Sequence, residues 1–148
     1  MIRLTCGDLR AIKAAAEDAY PMEACGLLVG SLTEDGVYDV ARIVPSRNLA
    51  AEQTGRKDRF EIDPKLRFDV MRACEGSGEA IIGHYHSHPD HPAAPSKTDF
   101  SMAWDADFVW VIVAVPKGKA GAVTAHVLEG VRDGAAKAFL EIPLAAHG

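Results

Sequence analysis

The chain has 148 residues, 48% hydrophobic and 25% charged, a composition that suits one globular domain, 1–148, with a sizeable core. Lys and Arg number 16 against 21 Asp and Glu, a net charge of -5, so neither a nucleic-acid backbone nor an anionic membrane is expected as a partner. The cysteines, Cys6, Cys25 and Cys74, are odd in number and widely spaced, which excludes a disulfide framework or zinc knuckle and fits a reducing, cytoplasmic setting.

The N-terminal stretch carries Asp8 and Glu17 and does not read as a signal peptide. Ile2 to Cys6 alternates weakly and reads as an edge strand. Gly7-Asp8 opens a helix, with Asp8 as its N-cap and Pro21 as its stop. Cys25 to Gly30 reads as a buried strand, and Glu34-Asp35-Gly36 turns Leu27–Val44 into a hairpin. Pro45 to Arg59 is polar and reads as a long loop. Asp63-Pro64 caps a second helix that ends near Gly76. Ala80 to His88 is the next strand, and Ser96 to about Trp104 a short helix. Phe108 to Val115 is a central strand, too short to span a bilayer and apolar enough to be covered on both faces. Trp104 and Trp110 belong to the core. Ala122 to Leu128 follows as a strand, and Ala138 to Ile142 as the last one. The pattern is a mixed α/β domain: a curved sheet with two longer helices and one short one.

Chemistry concentrates between His84 and Asp99, which holds four of the six histidines. Along an extended strand, side chains two apart share a face, so His84, His86 and His88 point the same way. Two imidazoles at i and i+2 can close on one ion at about 2.0–2.1 Å each. A catalytic zinc takes three protein ligands and keeps a fourth position for water. Asp99 is the best third ligand. Pro89, Pro92 and Pro95 stiffen the chain before it. Ser96 then stands three residues before Asp99, on the same face of a helical turn. Ser-x-x-Asp alone is equally a plain helix cap.

His86-Ser87-His88-Pro89 followed by Ser96-x-x-Asp99 resembles the metal motif of the JAMM/MPN+ metalloproteases, and a compact member like this one resembles their prokaryotic branch. Glu23-Ala24-Cys25-Gly26-Leu27-Leu28-Val29-Gly30 matches that family's Glu-x-x-Gly-Leu-Leu-x-Gly pattern. Phe60-Glu61-Ile62-Asp63-Pro64 resembles its segment before the second long helix. The likeness runs from about Glu23 to Val115, with no departure at Glu23, His86, His88, Ser96 or Asp99. It implies a fold akin to the cytidine-deaminase-like layout and one zinc per chain, held by His86, His88 and Asp99. It implies Glu23 as general base and Ser96 as donor to an oxyanion. The implied substrate is an amide after the C-terminal Gly-Gly of a ubiquitin-like or β-grasp sulfur-carrier protein. The Pro45–Arg59 loop is expected to contribute to the groove for its tail.

Alternatives stand beside that reading: a small-molecule amide hydrolase with the same zinc chemistry, and an MPN scaffold that binds without turnover. A zinc nucleobase deaminase needs His-x-Glu and Pro-Cys-x-x-Cys, and a zincin needs His-Glu-x-x-His; the sequence has none of them. His84 reads as a satisfied buried histidine, or as a group orienting a ligand. Cys25 reads as a small buried thiol. His91 reads as exposed, and His126 and His147 join no constellation. Oligomeric state is not encoded in any pattern here.

Overall fold

A computed structural model of the chain describes residues 1–103, 108–129 and 138–148. Trp104 lies outside the described residues. The strands are β1 (Ile2–Thr5), β2 (Cys25–Leu32), β3 (Tyr38–Ser46), β4 (Ala80–Pro89), β5 (Val109–Val115), β6 (Val123–Glu129), β7 (Ala138–Ile142) and β8 (Leu144–His147). They form one sheet in the order β7-β6-β5-β4-β2-β3-β1-β8. β2 runs antiparallel to β3 and β4, while β5, β6 and β7 form an antiparallel meander. β4 and β5 are parallel, and β1 is parallel to both β3 and β8. The two outermost strands are separated in sequence only by Pro143. The sheet therefore curls until its two ends are consecutive halves of one bent stretch, with the Ile2 N–H donating to the Pro143 carbonyl at 2.9 Å.

The α-helices among the described residues are α1 (Cys6–Ala19), α2 (Leu49–Thr54), α3 (Pro64–Cys74) and α4 (Lys97–Met102). α1 covers one face of the sheet: its Ile12 and Ala16 pack with Leu4, Leu28, Val111 and Val113. α3 covers the other, placing Val70 and Cys74 with Leu27, Phe60, Ile62 and Trp110. Burial of each such Ile or Leu stabilises the fold by about 1.5–3 kcal/mol.

Period two in β4 decides where the histidines go. Tyr85 enters the α1 layer, fully buried, so His84, His86 and His88 project into the layer of Phe60 and Trp110. Gly26 lies opposite Tyr85 in the β2–β4 ladder, and a Cβ there would run into the Tyr85 ring. The glycine of the Glu23–Gly30 motif is thus the space Tyr85 occupies.

Several local expectations are corrected. β1 is not an edge, because β8 pairs its far side. The cap of α1 is Thr5, whose hydroxyl accepts the Asp8 N–H at 2.9 Å, not Asp8 itself. The expected loop Pro45–Arg59 contains the end of β3 and a second short helix, α2, capped by Asn48. Ala138–Ile142 is not the last strand, since β8 follows it. The Asp63 cap with Pro64 at the start of α3 and the Ser96 cap of α4 stand as expected.

Candidate metal centre

β4 and α4 bring the metal-ligand candidates together. His86 Nε2, His88 Nε2 and Asp99 Oδ2 approach one another at 3.0–3.2 Å: 3.0 between the imidazoles, 3.2 from His86 to Asp99 and 3.0 from His88 to Asp99. All three residues are buried. Ser96 and Asp99 make a reciprocal capping box: the Ser96 hydroxyl accepts the Asp99 N–H at 3.0 Å, and Asp99 Oδ2 accepts the Ser96 N–H at 2.9 Å. That box fixes the carboxylate over the histidines.

The donor set fits a divalent ion. His88 Nδ1 lies 2.9 Å from the Pro92 carbonyl and donates to it, which leaves a lone pair on Nε2 in the neutral ring. One proton cannot satisfy three mutual contacts near 3 Å, whereas a central cation satisfies all of them. Tetrahedral ligands at 2.0–2.1 Å from zinc stand about 3.3 Å apart, close to the spacing seen here. Burial pushes the His86 imidazole below its ordinary range, keeping it the neutral ligand a metal requires.

Glu23 precedes β2, buried at 6% exposure, and lines a cleft of about 440 Å³ with Asp58, His88, His91, Ser96 and Thr98. Its Oε1 has no hydrogen-bond partner among the described residues. Burial pushes its carboxyl up to about 8, against the opposing pull of His88. The Ser96 hydroxyl oxygen is used by the cap, and its proton is left for the cleft. Glu23, Ser96, His88 and Asp99 thus belong to one place.

The remaining candidates fall around it. His84 is buried in a cage of Phe60, Phe108 and Trp110, and its Nδ1 has no hydrogen-bond partner among the described residues. Cys25 is buried, with its thiol 3.7 Å from the Arg47 carbonyl, and burial pushes that thiol up to about 12, away from any reactive role. Cys6 and Cys74 are also unbridged. His91 is exposed on the cleft rim.

Positioning groups that the sequence reading missed hold Glu23 in place. The Ser87 hydroxyl accepts the Ala24 N–H at 2.7 Å, and the Ser87 N–H donates to the Ala24 carbonyl at 3.0 Å. The Asn48 amide donates to the Glu23 and Arg59 carbonyls, both at 2.9 Å, and accepts from Glu61 at 3.0 Å and Ala51 at 3.2 Å. Ser87 carried a signal, as the central residue of His-Ser-His; Asn48 carried none.

No helix among the described residues is long and apolar enough to cross a membrane. The family model described as prokaryotic homologs of the JAB domain matches residues 7–127. The chain is 34% identical over 110 residues to the Desampylase of Haloferax volcanii, covering 74% of this chain and 72% of that one. It is 32% identical over 107 residues to the CysO-cysteine peptidase of Mycobacterium tuberculosis, covering 72% and 68%. A protein from Desulfitobacterium hafniense, solved in solution, superposes with a TM-score of 0.76 at 30% identity, over 99% of this chain and 94% of that one. With the motif set, the fold and these matches in agreement, the chain belongs to the prokaryotic JAB-domain family.

Proposed function

We propose that the chain is a single-domain zinc metallopeptidase that hydrolyses the amide or isopeptide bond after the C-terminal Gly-Gly of a ubiquitin-like or β-grasp carrier protein. The observation that carries the reading is the convergence of His86, His88 and Asp99 beside a cleft that also holds Glu23 and Ser96. The kinship with proteins named a desampylase and a CysO-cysteine peptidase supports a peptidase acting on conjugates of small carrier proteins.

His86, His88 and Asp99 would hold the zinc. Bound there, zinc lowers the pKa of a water to about 7 and polarises a carbonyl. Glu23 takes the proton of the attacking water at its carboxylate and delivers it to the leaving amine, a role typically worth about 10²–10⁴ in rate. The Ser96 hydroxyl donates to the oxygen that gains charge, worth roughly 10²–10³. Ser87 and Asn48 keep the Glu23 backbone still, and the Asp99–Ser96 box keeps hydroxyl and carboxylate in one frame. The tail would lie in the cleft, with Asp58 from the Pro45–Arg59 stretch on its wall.

The test is zinc content with paired activity, for wild type and Glu23→Gln, on a β-grasp protein ending in a Gly-Gly extension. One zinc per chain in both, with cleavage by the wild type alone, is the expected result. Zinc without cleavage of that substrate moves the reading to a small-molecule amide hydrolase. No zinc in either moves it to a binding scaffold. Asp58→Ala is expected to raise KM for the carrier protein; an unchanged KM removes that stretch from the groove.

A further inference from the structure

We propose that Thr124 and His126 of β6 are positioning residues for the metal centre, acting through the Pro-rich loop on the ring of His88. The proposal rests on the metal reading above. The Thr124 hydroxyl donates to the Ala93 carbonyl at 2.6 Å. It has one proton, so its 2.9 Å contact with His126 Nε2 is one in which the imidazole N–H donates and the hydroxyl accepts. Ala93 follows Pro92, whose carbonyl accepts from His88 Nδ1 at 2.9 Å and from the Ala94 N–H at 2.9 Å. Three links thus run from β6 through the loop to a ligand candidate on β4.

The loop needs such an anchor. Pro89, Pro92 and Pro95 have no N–H, so half of the usual means of tying a loop down is missing at each. The backbone bonds at its start, Asp90 N–H to Val115 and His91 N–H to His88, come before the carbonyl that matters. His126 is 5% exposed and stands opposite Trp110 on β5 and Glu141 on β7, so its bond to the hydroxyl is shielded from competing water. Groups that orient a ligating histidine set its tautomer and direction, and their loss typically costs 10–100-fold in metal affinity.

The experiment measures zinc affinity by competition with a chromophoric chelator, on the full chain. Thr124→Val keeps the shape and removes both bonds; Thr124→Ser keeps the hydroxyl. Melting of the metal-free proteins reports on folding. Thr124→Val is expected to bind zinc about tenfold or more weakly, with Thr124→Ser close to wild type. Zinc binding by Thr124→Val equal to wild type overturns the proposal, and so does equal weakening in both variants, which would assign the effect to packing. If Thr124→Val does not fold, His126→Phe keeps a ring beside Phe139 and removes the donor; weakened zinc binding there supports the proposal and wild-type binding overturns it. A wild type that binds no zinc overturns both this inference and the reading beneath it, an outcome distinct from one confined to the variants.

Discussion

Phe60 lies flat on His86, ring centroids 4.3 Å apart and planes inclined by 16°. Among the described residues His86 Nδ1 has no hydrogen-bond partner, so this stacked ring does for His86 what the Pro92 carbonyl does for His88: it sets the direction of the imidazole. Phe60→Leu, which keeps much of the volume, is expected to cost about 1–1.5 kcal/mol of stability. It is expected to weaken zinc binding on the order of tenfold. Chelator competition beside denaturant titration separates the two effects.

Glu23 sets a pH dependence in the metal-free protein. Its carboxyl has an ordinary value of 4.5 when exposed and about 8 in the fold, where burial disfavours the charge. Between those values the folded chain keeps a proton that the unfolded chain has released, so stability falls as pH rises through that window. His84 and His86, whose values burial lowers, work in the opposite direction and remain in a Glu23→Gln variant. The stability difference between the two proteins is therefore the readout. Glu23→Gln is expected to gain on wild type by on the order of 2–4 kcal/mol from pH 5 to pH 8. A constant difference would show that the Glu23 carboxyl ionises normally.

Ser87→Ala removes the acceptor of a buried N–H, that of Ala24, next to the proposed base. The expected cost is about 1–3 kcal/mol. Zinc content is expected to be unchanged, because Ser87 faces away from His86 and His88 along β4, while kcat falls as Glu23 loses its fixed position. Loss of zinc in this variant would contradict the alternation that separates the two roles.

Gly26→Ala probes the α1 side of the sheet. The added methyl meets the ring of Tyr85, which is 1% exposed. Destabilisation by about 1–3 kcal/mol is expected from overpacking, read by thermal melting. Gly26→Ala combined with Tyr85→Phe is expected to remain destabilised, since the ring carbons as well as the hydroxyl lie in the way.

The grouping of the candidate metal ligands was legible because its geometry is local. His86 and His88 are two apart on a strand, and Ser96 and Asp99 three apart on a helical turn, so spacing alone puts each pair on one face. Glu23 was legible only through the likeness of its motif, since the register of β2 on β4 is what brings it near. Asn48 and Thr124 were illegible because each donates to the carbonyl of a residue distant in sequence, and a carbonyl leaves no mark in a sequence; His126 acts on the Thr124 hydroxyl and was hidden with it. β8 was missed because Leu144-Ala145-Ala146-His147 has little side-chain pattern; pairing with β1 makes it a strand. Thr5 was passed over for Asp8 because either residue type caps a helix, and only the backbone entering α1 decides between them.

The junction at Pro143 also sets an order of events for folding. Ile2 to Thr5 find their partners in Leu144 to His147, across nearly the whole chain. Contacts of such long sequence separation demand loop closure before they return any stabilisation, and they slow the search for the native state. During synthesis, one flank of the first strand waits with its hydrogen bonds unmade until the last strand has emerged. The candidate metal ligands lie on β4 and α4, in the middle of the chain.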